Sequence, residues 1–173
     1  MAKIIYKSGH EFKNKLDSID GIWIKLFNGR NALIYPKYSE KQLLDALPIS
    51  ECDIKTESEI KALKKMSSYQ DTSDFYRFDS PAAKFVRQFK SEHFTQFSLP
   101  TLLTAMEIQD QKNEIDELAK TIEGADLLRN FTHDVWTCSR YNDNLGWVAV
   151  GSFGFADKGY LCGSGLAVPT ILY

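Results

Sequence analysis

Ile22, Ile24 and Leu26 alternate with Trp23, Lys25 and Phe27, and Asn28-Gly29 separates this run from a second apolar stretch, Ala32-Leu-Ile-Tyr35. A period of two is that of a half-buried strand, and Asn-Gly supplies the two positive-φ positions of a type I′ turn, so residues 22–36 predict a β-hairpin. The preceding Lys3–Lys7 segment offers a third strand. Further along, helix signals take over. Ser39 with Gln42 reads as a capping box opening a helix that Pro48 stops. Thr56 with Glu59 reads as a second one, continued by Ile60, Leu63 and Met66. Ser80-Pro81 pairs an N-cap with proline at the first helical position, ahead of Phe85, Val86 and Phe89. Thr101 is a further N-cap leading into Leu102, Leu103 and Met106; Ile115, Leu118 and Ile122 share one helix face, closed by Gly124. The rest reads as short strands, Val135–Tyr141, Gly146–Ser152, Gly159–Cys162 and Ala167–Tyr173, separated by Asn, Asp and Gly.

Charge follows the same division. Residues 1–97 carry 16 Lys+Arg and 13 Asp+Glu, whereas residues 98–173 carry 5 and 10, giving a net −2 over 173 residues. Near neutrality argues against a nucleic-acid protein that depends on a strong positive field. With 43% apolar and 13% aromatic residues, there is ample surface for a core. The length suits one domain, with or without an added subdomain. No apolar run is long enough to span a bilayer, and the amino terminus lacks a leader pattern, so the expectation is a soluble protein that remains in the cytoplasm, or in a virion if phage-encoded.

Candidate chemistry is sparse. Cys52, Cys138 and Cys162 are odd in number and show no metal spacing, which predicts buried free thiols. His10, His93 and His133 are likewise scattered. Gly151-Ser-Phe-Gly-Phe and Gly163-Ser-Gly lack the Lys-Ser/Thr end and the helix start of a phosphate loop, so their glycines are assigned to turns and bulges. Asp110, Glu114, Asp116 and Glu117 are expected to spread over a solvated helix face. No catalytic residue, metal ligand or cofactor is assigned. Tyr141, Asn142, Asp143, Asn144 and Trp147 are the candidate ligand-binding residues: the amides and carboxylate can hydrogen-bond a sugar or ligate calcium, and the rings can stack. Against this, Asn142-Asp143-Asn144 also reads as an ordinary turn between strands.

Leu99-Pro100-Thr101, the helical stretch to Gly124, Trp136-Thr-Cys-Ser139-x-Tyr141, Gly146-Trp147 and the closing Val168-Pro169 form a series. It resembles bacterial and phage C-type-lectin-like domains that carry "W-R-L-P-T", "W-S-S-T-x-Y", "A-W" and "V-R-P-V", which share their fold with formylglycine-generating sulfatase-modifying factors and phage variable receptor-binding proteins. The resemblance covers about residues 80–173. There are departures: Phe97-Ser98 stands where the family has Trp-Arg, Thr137-Cys138 replaces Ser-Ser, and Val168 precedes Pro169 without the arginine. The Glu-Pro-Asn and Trp-Asn-Asp calcium signatures of sugar-binding lectins are missing, as is the cysteine pair of the sulfatase-modifying enzymes.

The resemblance implies an α+β fold of C-type-lectin-like type, a twisted antiparallel sheet with two helices, Trp136 and Trp147 filling the core. Residues 79–173 would form that domain, and residues 1–78 a hairpin-plus-helix extension that either completes the sheet or stands apart. The function it implies is a non-catalytic binding module presenting late-strand loops to a protein or glycan; a phage or mobile-element origin would suit the missing leader. No nucleic-acid partner and no membrane insertion are expected. The alternatives are an intracellular interaction or inhibitor protein using the Trp23 and Phe27 face, and a cysteine-dependent enzyme pairing Cys138 or Cys162 with His133.

Overall fold

The computed structural model describes residues 2–6, 15–41, 80–91, 93–142, 144–151 and 155–172. The expected helices over 42–48 and 56–66, and Cys52, lie outside the described residues. In chain order the elements are β1 (Ala2–Tyr6), β2 (Ile19–Lys25), β3 (Asn31–Ile34), β4 (Ser39–Lys41), α1 (Pro81–Arg87), α2 (Leu102–Asp110), α3 (Lys112–Ala119), β5 (Val135–Arg140), β6 (Leu145–Ala149), β7 (Ala156–Tyr160), β8 (Gly165–Ala167) and β9 (Thr170–Leu172). The architecture is α+β, with one sheet ordered β1-β2-β3-β9 and another ordered β4-β8-β5-β6-β7.

The hairpin forms as its alternation predicts. Ile22, Ile24 and Leu26 are buried while Lys25 and Phe27 are exposed, and β1 adds the third strand. Its turn differs from the expected two-residue type I′. The Gly29 N–H donates to the Leu26 carbonyl at 3.0 Å, the Leu26 N–H donates to the Arg30 carbonyl at 2.9 Å, and Gly29 has φ +82°. This is a three-residue loop, Phe27–Gly29, ending in a left-handed glycine. The Asn28 side chain accepts the Arg30 N–H at 3.0 Å, which stabilises that form locally.

Residues 31–41 run antiparallel to residues 165–172 in two paired stretches separated by residues 36–38. Ala32–Ile34 pair with Thr170–Leu172, the Tyr35 N–H donates to the Pro169 carbonyl at 3.0 Å, and Ser39–Lys41 pair with Gly165–Ala167. This ribbon passes through Pro36 and Pro169 and links the two sheets. Ser39 therefore opens a strand, not the helix its capping box suggested: the pairing with β8 captures its backbone. The expected Ala167–Tyr173 strand is split by Val168-Pro169, where the chain crosses from one sheet to the other.

The N-caps at Ser80 and Thr101 are present. Ser80 Oγ accepts the Ala83 N–H at 3.2 Å, and Thr101 Oγ1 accepts the Thr104 N–H at 3.4 Å. The expected helical stretch to Gly124 forms as two helices, α2 and α3, which meet at Gln111 (φ −91°, ψ 9°). Gly124 has φ +88° but follows the end of α3 by several residues, so it shapes a later turn and does not close the helix.

Among the late strands, β5, β6 and β7 form an antiparallel meander, β8 lies parallel to β5 through Val135 and Leu166, and α2 packs on β5 and β6. One core cluster joins Ile19, Ile22, Ile24 and Ile34 to Ile108, Ile115, Val135 and Val168. The hairpin thus pairs with β9 in a sheet of its own and shares this apolar cluster with residues of the later segment. Tyr35 further ties the segment after α1 to this ribbon, its ring centroid lying 4.9 Å from that of Phe89 and 5.6 Å from that of Phe97.

Candidate functional site

The late-strand face is built by β5–β7 and the turn between β5 and β6. Asn142 Oδ1 accepts the backbone N–H groups of Asn144 and Leu145, both at 2.9 Å, and the Tyr141 N–H donates to the Leu145 carbonyl at 2.9 Å. The Asn142 carboxamide oxygen thus holds the turn. Asp143 lies outside the described residues. Asn144 is exposed, and its carbonyl accepts the Leu161 N–H at 2.8 Å.

The two rings form a pair, not two separate platforms. Tyr141 and Trp147 meet edge to face at 5.6 Å, with Trp147 buried and Tyr141 half-buried. Lys158 on β7 places its ammonium 4.6 Å from the Tyr141 ring centroid and 5.7 Å from that of Trp147, a cation–π arrangement. β7 is an edge strand, and its Tyr160, 69% exposed, lies one strand beyond the pair, with Phe155 49% exposed just before β7. Sequence reasoning missed Lys158 and Tyr160, because their alternation in a short edge strand carries no sign of what lies beside them.

Two glycines position the centre of this sheet. A Cβ on Gly165 would overlap the indole of Trp136, and one on Gly159 would come within 3.1 Å of Val148 and 3.2 Å of the same indole. They give close approach, not the turn or bulge expected of Gly165. Trp136 is buried against Leu99, Cys138, Val148 and Ala167.

Cysteine chemistry is poorly placed. Cys138 is fully buried in that apolar cluster, while His133 Nε2 lies 3.3 Å from Glu40 Oε2. Cys162 is exposed, against the expectation of a buried thiol. Among the described residues, no group of three His, Cys, Asp or Glu side chains could hold a metal ion. No described helix is long and apolar enough to cross a membrane.

Asp116, one of the four acids expected on a solvated face, is structural, as are Glu107 and Asp20. Asp116 is buried, and its two oxygens accept the Leu128 and Arg129 N–H groups at 2.7 and 3.1 Å. Glu107 is also buried and accepts the Phe27 N–H at 2.8 Å; burial pushes its carboxyl above the ordinary range, opposed by the hydrogen bonds from Phe27 and Gln111. Buried Asp20 contacts His93 Nδ1 at 2.6 Å.

A second concave feature, of about 250 Å³, lies between the end of α2, the start of α3 and the segment before β5. Gln109, Lys112, Arg129, Thr132, His133 and Gly151 give it its polar lining. No family model matches this chain, and neither a curated protein nor a solved structure matches it.

Proposed function

We propose that the chain is a non-catalytic binding module of C-type-lectin-like type whose late-strand face meets a protein or glycan ligand, in a phage or mobile-element setting. The observation that carries this reading is the convergence of segments far apart in sequence. The Pro100 carbonyl accepts the Cys138 N–H at 2.8 Å, and Ser98 and Thr170 exchange two backbone hydrogen bonds of 2.9 Å. Leu99 and Trp136 share one apolar cluster. The Leu-Pro-Thr, Trp-x-x-Ser-x-Tyr and Val-Pro segments therefore form one scaffold, and the polar turns and edge strand it supports are free to vary in ligand.

The face suited to contact combines Tyr141, Asn144, Lys158 and Tyr160, aromatic surface with one cation at its centre. Trp147 backs Tyr141 from the interior, and Asn142 sets the turn. A glycan array probed with the whole chain, with and without calcium, tests the reading alongside affinity capture from the native host. The expected result is a saturable ligand whose binding is lost in Lys158→Ala/Tyr160→Ala at unchanged melting temperature. A ligand retained by that double variant overturns the assignment of the face, and thiol-dependent turnover of any substrate overturns the non-catalytic reading.

One observation favours the interaction-protein reading separately. Phe27 is 84% exposed at the hairpin tip, whereas Trp23 is half-buried beneath Lys3, whose ammonium lies 4.5 Å from its ring centroid. If a partner docks on the hairpin, Phe27→Ala should release it and Tyr160→Ala should not.

A further inference from the structure

The cleft between α2, α3 and the segment before β5 is lined by two cations, Arg129 and Lys112, and by the side chain of Gln109. Gln109 is 9% exposed, lines the cleft, and its side-chain amide has no hydrogen-bond partner among the described residues. A primary amide carries two donors and an acceptor, so this side chain can both give and accept hydrogen bonds within the cleft. Its Nε2 lies 3.7 Å from where a Cβ on Gly151 would sit, so glycine there keeps open the space in front of it.

The ionisable side chains that line the cleft are Lys112, Arg129 and His133. The Arg129 guanidinium makes no ion pair or hydrogen bond among the described residues; Glu117, the acid that feels its charge, is engaged by Lys120. Lys112 donates to the Gly151 carbonyl at 2.9 Å, leaving two ammonium protons without a carboxylate partner. Of the neighbouring acids, Asp134 Oδ1 accepts the Gly151 N–H at 3.0 Å, and Glu40 Oε2 lies 3.3 Å from His133 Nε2. Leu128, Phe131 and Leu166 supply the apolar part of the lining.

We propose that this cleft binds a compact oxyanion, a carboxylate or phosphate monoester, carried on a small organic body, with Arg129 and Lys112 neutralising the charge and Gln109 hydrogen-bonding within. Guanidinium and ammonium donors converging on one oxyanion make short, strong hydrogen bonds. The volume, near the lower end of ordinary ligand pockets, fits a small molecule and not a polymer segment. This site is separate from the late-strand face and does not depend on the binding-module reading.

The test is an amide-resolved NMR titration of the whole chain with benzoate, phenyl phosphate, inorganic phosphate and uncharged benzamide. Saturable shifts centred on Thr132, Gly151 and the Gln109 side chain are expected with benzoate or phenyl phosphate, and which of the two binds more tightly identifies the oxyanion. Arg129→Gln and Lys112→Gln should each weaken binding about tenfold. Gln109→Leu should weaken it severalfold without altering the fold's spectrum. Gly151→Ala gives an independent variant, since its Cβ would lie 3.3 Å from the His133 carbonyl and narrow the cleft. Absence of shifts with both organic anions, equal binding of benzamide, equal binding of inorganic phosphate, or indifference to both Gln109→Leu and Gly151→Ala would each overturn the proposal.

Discussion

At the scale of residues, carboxylates do the work of long-range caps. Asp116 accepts two backbone N–H groups from the turn after α3, Glu107 accepts one from the hairpin tip, and Asp126 accepts the Tyr38 N–H at 2.8 Å while holding Lys37 at 2.9 Å. Removing such an acceptor strands a buried donor, so Asp116→Ala should cost about 1–3 kcal/mol in urea unfolding. Asp116→Asn keeps one acceptor oxygen and should cost less. Glu107 adds a pH dependence. Its folded carboxyl binds the proton more tightly than the unfolded one, because burial disfavours the anion. Between the ordinary and the raised value the folded state holds more protons, so this group's contribution to stability falls as pH rises through that window. Glu107→Gln cannot titrate. The melting temperature of the variant minus that of the wild type should therefore grow as pH rises above the ordinary glutamate range, and a constant difference in melting scans would refute this origin. None of these roles was legible in the sequence. A run of four acids on a helix looks solvated until the backbone that one of them caps, twelve residues away in the case of Asp116 and Leu128, is brought beside it.

At the scale of elements, what was legible is what is local. Ser80 and Thr101 cap helices because donor and acceptor lie three residues apart. Ser39 carries the same signal and starts β4, since pairing with Gly165–Ala167 outweighs a cap that no nearby residue can enforce. The hairpin was legible in its alternation, but its turn type was not, because Asn28 bonding to Arg30 selects the three-residue loop. Of the candidate site, the Tyr141–Trp147 pair was legible as aromatic residues near a turn, while Lys158 over both rings comes from a different strand. Gly165 gives the sharpest prediction here. Adding one methyl displaces the Trp136 indole, so Gly165→Ala should destabilise by about 1–3 kcal/mol. Tryptophan fluorescence of the folded protein should shift with it. Gly29→Ala, with nothing near its Cβ position, should cost less, about 1 kcal/mol, through φ alone.

At the scale of the whole molecule, one core cluster draws on residues 19–38 and 105–168, so the described residues are expected to unfold as one cooperative unit. Calorimetry should give a single transition, and amides of β2, β3 and β5 should exchange at similar free energies. A chain beginning at residue 79 would lack β1–β4 and should not melt cooperatively. A separate early transition assignable to the hairpin would contradict this.

The ribbon that binds residues 31–41 to residues 165–172 also fixes when folding can finish. Ile34 meets Thr170 across 136 positions of sequence, so β3 waits without its outer neighbour until Thr170–Leu172 have left the ribosome. During synthesis the hairpin presents an open edge to its surroundings, and closing so distant a contact places refolding on the order of milliseconds to seconds. Joining both sheets through strands this distant in sequence therefore exposes the hairpin edge to aggregation during translation, whatever the stability of the folded state.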